Sequence, residues 1–391
     1  MRHTIPPHPV AEEPAEAFVP AFCPNPRCHE HTRDRKPHQD SPRWFLRNGA
    51  YYTAAFGQVP RFRCTCCGRG FSRQTFRLDY YAKRVIDYRQ VLHQIVSCTA
   101  TRDLCRRHLC STGTVANRVE RLARQAAAVH TAALVGSKNS EALVIDGFQN
   151  FAVSKYFPNN INLLAGADSG FLYACNYRTI RRSGRMSERQ KLRRQQLERL
   201  YRADKNAIRD GFRALLDAAL RLPGQRAPIH IYSDCKTEYA QAIDTEPHYN
   251  RLKSVHALEH ETILSTLPRT AGNRLFAVNY LDRQLRKDLK ECVRHTVCFG
   301  RNVCNVMQRL LIYRMYHNHY KAFRHRDSVP THAAVAGVDE PWIDRSLEGA
   351  FQWRAFLSRS ALSDADQQVW LRRLVTPLKR KPEYLPNFAL A

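Results

Sequence analysis

The chain has 391 residues, with 62 Lys+Arg against 35 Asp+Glu and a formal charge of +27 with His neutral. Its 43% apolar content excludes general disorder, and the length suits about two to three domains. No apolar run approaches the ~18 residues of a membrane span, and the opening MRHTIPPHPVAEEPAEAF lacks the apolar centre of a secretory signal, so a cytoplasmic protein is expected. The charge exceeds what solubility asks of a surface and points to a polyanionic partner, nucleic acid first. Thirteen cysteines without an export signal read as metal ligands and buried thiols rather than a disulfide framework.

Residues 1–20 are Pro- and Ala-rich and read as a flexible N-terminus. Residues 21–78 hold two cysteine pairs, Cys23 with Cys28 and Cys64 with Cys67, the second followed by Gly68. Two such pairs, each closed by a short turn, place four thiolates around a structural Zn²⁺. Cys66, His29 and His31 are the possible substitutes, and free thiols are the plain alternative. Arg61, Arg63, Arg69 and Arg73 flank the second pair, so a zinc ribbon that touches DNA phosphates is expected.

Residues 79–134 are helical in pattern. Within residues 101–122 a short helix, a turn near Leu109 and a second helix from Ser111 or Thr112 read as a helix-turn-helix. Thr114, Asn117, Arg118 and Arg121 are expected on its exposed side, facing base edges and phosphates, with Val115, Val119 and Leu122 inward. Plain helical packing is the alternative. Residues 135–140 read as a linker.

From residue 141 the texture changes to short apolar runs of strand length, at 141–148, 160–168, 170–177 and 228–234, with 251–257 as a candidate fifth. The first ends in Asp146 and the fourth in Asp234. Three strands, a helix and a fourth strand with Asp is the order of a ribonuclease-H-like core, placed at 141–325. Carboxylates at the ends of adjacent strands can hold Mg²⁺ or Mn²⁺ for phosphodiester chemistry; either alone reads better as a strand-end or helix-capping residue, and their joint placement favours the metal. A basic helical insertion is expected at about 178–222; its 178–213 portion has thirteen Lys/Arg against Glu188, Glu198, Asp204 and Asp210. A third acid is sought on a following helix, among Asp282, Asp288, Glu291, Glu259 and Glu261. Residues 326–391 form a C-terminal region to which the sequence assigns no role, and Trp342, Trp353 and Trp370 suggest packing rather than chemistry.

In this order the chain resembles bacterial insertion-sequence transposases of the DDE type. The residues that carry the resemblance are RFRCTCCGRGFSRQTFR (61–77), the helix-turn-helix, LVIDGF, IYSD and RKDLKECVRHTVCFGRNV (286–303), with Thr296, Phe299 and Arg301 in a Thr-x-x-Phe-x-Arg turn. The resemblance implies an α/β ribonuclease-H-like catalytic domain preceded by a small zinc ribbon and a helical helix-turn-helix domain. It further implies Mg²⁺ dependence, strand transfer at terminal inverted repeats, a homo-oligomer on double-stranded DNA, and nucleoid association. Asp146 and Asp234 match the first two family acids. The third, usually Glu before Arg, meets Leu281-Asp282-Arg283 here, with Asn279 at the ungapped position. The implied triad is Asp146, Asp234 and Asp282, with Arg283, Arg286 and Arg301 meeting phosphates. A DNA-binding regulator derived from an inactive transposase is the alternative.

Overall fold

The computed structural model of the chain describes residues 18–33, 43–137, 140–293, 296–324, 329–379, 382–385 and 387–390. Most of the expected flexible N-terminus lies outside the described residues. Its last part does not dangle: Phe18 is buried against the rings of Phe62, Phe76 and Trp353.

After the one-turn helix α1 (His29–Thr32), three antiparallel strands make a small sheet: β1 (Phe45–Thr53), β2 (Gly57–Cys64) and β3 (Gly70–Ser72). Too small for an aliphatic core, this unit is filled with rings. Trp44, Phe45, Phe62, Phe71 and Phe76 are buried together, and Phe356 joins them from far along the chain.

Three helices follow: α2 (Tyr88–Ile95), α3 (Thr101–Arg107) and α4 (Thr112–Gly136). Ser111 caps α4 by accepting from the Thr114 N–H at 3.2 Å. Val115, Val119, Leu122, Ala126, Val129 and Ala133 recur every three or four residues and bury one stripe of α4.

The larger sheet is built from β4 (Leu143–Phe151), β5 (Pro158–Gly166), β6 (Leu172–Thr179), β7 (Ile229–Asp234) and β8 (Leu258–Ile263). Its spatial order is β6-β5-β4-β7-β8, antiparallel across the first three strands and parallel across the last three. Between β6 and β7 lie α5 (Glu188–Glu198) and α6 (Ala207–Leu220). The basic insertion expected across 178–222 therefore divides. Only α5 is a solvated helix; α6 buries Phe212, Leu215, Leu216 and Ala219 on the sheet. A Cβ on Gly211 would overlap the Asn162 amide, so glycine is what lets α6 approach the sheet this closely.

After β7 come α7 (Thr237–Asp244) and α8 (Pro247–Ser254). The strand expected at 251–257 is thus displaced to β8. Pro247 is preset for the first helical turn and starts α8, and Tyr249 buries its inner face. Next are α9 (Phe276–Asp288), α10 (Val303–His319), α11 (His332–Val335), α12 (Glu340–Gln352) and α13 (Asp364–Trp370). Helix α9 packs on β4 and β5, and α10 is buried almost all round, against α4 on one side. The C-terminal tryptophans do pack: Trp370 is buried and donates to the Ala389 carbonyl at 2.7 Å, and Trp353 stacks on Phe18. Among the described residues no helix is long and apolar enough to cross a membrane.

Candidate functional sites

The cysteines of the small module converge. Cys23, Cys28, Cys64 and Cys67 bring their sulfurs within 4.8 Å of one another, and all four are free thiols. The Cys23–Cys67 and Cys28–Cys64 sulfurs lie 3.6 and 3.7 Å apart. Four Zn–S bonds of about 2.3 Å in a tetrahedron require about 3.8 Å between sulfurs, so the donor set fits Zn²⁺. Burial pushes Cys28 up to about 12. Burial also raises Cys67, but the Arg69 N–H, Asn25 and the neighbouring thiols outweigh it and bring it down to about 7. The substitutes drop out. His31 spends both nitrogens, donating to the Cys23 carbonyl at 2.6 Å and pairing with the Ser358 hydroxyl at 2.8 Å. His29 points outward beside Glu30, and Cys66 is exposed.

The arginines expected to read DNA separate into two kinds. Arg61, Arg63 and Arg69 are exposed, whereas Arg73 is half-buried with its guanidinium over Phe18. On α4 the expectation fails for two residues. Arg118 and Arg121 are buried, donating to the Arg84 carbonyl at 3.1 Å and the Leu78 carbonyl at 2.9 Å. Their aliphatic stems extend the apolar stripe, and their heads satisfy carbonyls of the segment that precedes α2. Thr114 and Asn117 are half-buried.

Two of the expected carboxylates lie side by side, and a third is within charge range of one of them. In the parallel pairing of β4 with β7, Ile145 faces Ser233, which carries Asp146 and Asp234 side by side where the two strands end their ladder. Alternation along β4 puts Val144, Asp146 and Phe148 on one face, the face that α9 covers. Helix α9 carries Asn279, Asp282 and Arg286 at spacings of three and four, hence on one side. Arg286 lies over the Phe148 ring at 4.5 Å. Asp282 comes close enough to Asp146 for their charges to repel. Burial first, then that repulsion, lifts the Asp282 carboxyl to about 7, against the pull of Arg286, Lys236 and Arg269. Burial likewise raises Asp146, opposed chiefly by Lys236. The Oδ1 of Asp282 is buried and has no hydrogen-bond partner among the described residues. A buried carboxylate oxygen without a partner, with a second carboxylate in charge range, suits a hard divalent cation.

Sequence reasoning missed Lys236. Its ammonium lies between the first two acids, 3.1 Å from Asp146 and 2.9 Å from Asp234, and 3.3 Å from the Tyr239 hydroxyl. The other candidate acids lie elsewhere. Glu291 is buried in an ion pair with Arg309 at 2.9 Å, and Asp288 faces Lys287 and Lys321. Glu259 pairs with His230 at 3.0 Å, and Glu261 is exposed, both on the edge strand β8. Arg283 and Arg301 are exposed. Gly300 bridges to Ala152 just past the end of β4, and Phe299 meets Phe151, which seats the Thr-x-x-Phe-x-Arg turn at the far end of β4, six residues along the strand from Asp146.

No protein-family model matches the chain, and no curated protein matches it. Among solved structures, a chain of the simian T-cell lymphotropic virus intasome in complex with the PP2A regulatory subunit B56 gamma is similar at 13% identity and a TM-score of 0.29. The match covers 60% of this chain and 69% of that one.

Proposed function

We propose that the chain is a DNA transposase of the DDE type whose catalytic unit is a ribonuclease-H-like α/β domain and whose cysteine module is a zinc ribbon. The observation that supports this reading is the placing of Asp146 on β4 beside Asp234 on β7, where the parallel ladder of these two inner strands ends, with Asp282 on α9 within charge range of Asp146. In this reading Asp146, Asp234 and Asp282 hold Mg²⁺ or Mn²⁺, and Zn²⁺ at the four cysteines is structural, since four protein ligands leave no open position. A divalent ion at the carboxylates supplies activation of the attacking oxygen and relief of charge on the leaving one. The reaction is hydrolysis at the element's terminal inverted repeats to leave a 3′-OH, then attack of that hydroxyl on target DNA by a homo-oligomer on its ends.

The protein's own part is to orient and to neutralise. Arg286 is fixed over Phe148 by bonds to the Cys292 and Gln149 carbonyls, 3.4 and 3.3 Å, and stands beside Asp282 to meet a phosphate. Exposed Arg102, Arg106 and Arg301 border one cleft between α3 and the start of α10, with Lys290 beside them, and offer a basic surface to the DNA backbone. The test is cleavage of DNA bearing the gene's flanking repeats, with Mg²⁺, with Mn²⁺ and with EDTA. Metal-dependent nicking at a repeat end, lost in Asp234→Asn and Asp282→Asn and kept in Glu291→Gln, is the expected result. Tight repeat binding without nicking under either metal would instead favour the DNA-binding regulator, for which the lysine already lodged between two of the acids is the argument.

A further inference from the structure

The ammonium of Lys236 is held as if it were a ligand of the site. A lysine head has three N–H donors. Here three acceptors stand around it: Asp146 Oδ1 at 3.1 Å, Asp234 Oδ2 at 2.9 Å and the Tyr239 hydroxyl at 3.3 Å. The arrangement is braced from beneath. Tyr239 is fully buried and stacks on Phe212 of α6 with ring centroids 4.3 Å apart, and the ammonium also sits 4.9 Å from the centre of the Tyr239 ring. Lys236 itself is the N-cap of α7, two residues past the end of β7, so its backbone is anchored at both sides. A loose surface lysine has no such socket.

The charge balance gives this a meaning. Three ionised carboxylates are neutralised by one divalent ion together with one ammonium. A second divalent ion would leave the site positive, next to Arg286 and Arg269, which already act on Asp282. The acceptors are also divided: Asp146 and Asp234 are engaged by Lys236, while Asp282 keeps a buried oxygen without a partner. Resting on the transposase reading above, we propose that Lys236 is a built-in cation that replaces one ion of a two-ion phosphodiester site, so that Asp282 and Asp146 would hold a single divalent ion while Lys236 supplies the other positive charge.

The test counts ions rather than turnover. Zinc-loaded full-length protein is titrated with Mn²⁺ and bound ion is read by electron paramagnetic resonance; thiolate ligands favour zinc strongly over manganese, so the cysteine site stays out of the count. Wild type is expected to bind one Mn²⁺ per chain, at least tenfold more weakly in Asp282→Asn. Lys236→Met is expected to bind two, and its thermal midpoint should rise with Mn²⁺ more than that of wild type, because bound ion then replaces the lost ammonium. Tyr239→Phe removes one of the three acceptors and leaves the wild-type count at one, and it serves if Lys236→Met does not fold. Two ions on wild type, or a single ion on a folded Lys236→Met, would overturn the proposal. Two ions with metal-dependent nicking intact would leave the transposase standing and remove only the role of the lysine. No ion and no nicking in any variant would remove both.

Discussion

The two candidate sites of this molecule are assembled in opposite ways. The cysteine site is made of two short loops of one small module, each with its pair of thiols three or five residues apart, and its surroundings are aromatic rings from the same stretch of chain plus Trp353 and Phe356. The carboxylate site draws one side chain each from β4, β7 and α9, spread over more than a hundred residues, and needs the whole larger sheet to exist first. A locally encoded site stands or falls with its own metal. A tertiary site inherits its geometry from a core that folds for other reasons, and loses function without losing structure.

Removing the metals tests that difference most severely. A structural zinc contributes about 10–16 kcal/mol of apparent binding free energy, which a module with so small a core cannot replace. One zinc per chain is expected by mass spectrometry, lost in Cys64→Ser. Hydrogen exchange should then collapse across residues 45–76 while β4 and β5 keep their protection. Protection in the module that survives the loss of zinc would mean its rings alone hold it. At the other site the expected change is in chemistry. Asp234→Asn should cut nicking about a thousandfold, equivalent to ~4 kcal/mol of transition-state stabilisation, with circular dichroism unchanged. Nicking at the wild-type rate would move the active site elsewhere.

A buried acid outside the carboxylate cluster sharpens the contrast. Glu291 sits with Arg309 in an ion pair whose two side chains are 7% and 9% exposed. Breaking such a pair costs about 3–5 kcal/mol because the partner stays buried and charged. Glu291→Gln should therefore lower the melting temperature by many degrees and leave the nicking rate per folded molecule unchanged. Acid should weaken the same region through its histidines. His319 and His332 are buried, and desolvation holds them down to about 3 and about 4, against an ordinary value of 6.5. The unfolded chain then takes up protons that the folded chain refuses, so stability is intact above pH 6.5 and falls as the pH drops toward 4. The expected loss is on the order of 2–3 kcal/mol for each residue, and His332→Gln should flatten the curve in a urea titration at pH 5 and pH 7.

What was legible follows from the same division. Cys64-x-x-Cys67-Gly68 states its geometry in five residues, and the structure brings the four expected cysteines together. Asp234 was legible because a carboxylate ending an apolar run marks a strand end. Asp146, read the same way, lies inside β4, which runs on to Phe151 against β5; what stops beside it is the pairing with β7, and that is why the two acids are neighbours. Lys236 was not legible, since nothing local says that a lysine past β7 folds back between two acids instead of into water. The strand at 251–257 was misplaced for a similar reason: Val255 and Ala257 carry a β-like texture, but Pro247 and Tyr249 commit the preceding residues to a helix. Arg118 and Arg121 misled because a guanidinium is read as a surface group, whereas the carbonyls that accept from it belong to Arg84 and Leu78, out of sight of any helical period.

That misreading yields the smallest effect and the finest discrimination. Arg63 is exposed on β2 of the cysteine module, so Arg63→Ala should weaken binding to the repeat DNA only a few-fold, with no change in melting temperature. If it meets one phosphate, the slope of log affinity against log salt should fall by about one. Arg121→Met keeps the stem and removes the head, leaving the Leu78 carbonyl without that donor, which costs about 1–3 kcal/mol of stability and should leave the salt slope untouched. The two variants remove the same charge, so net electrostatic attraction cannot account for a difference between them. A salt slope that falls with Arg121→Met and not with Arg63→Ala would place the DNA on α4 and require α4 to expose a face that is packed inward in the free protein.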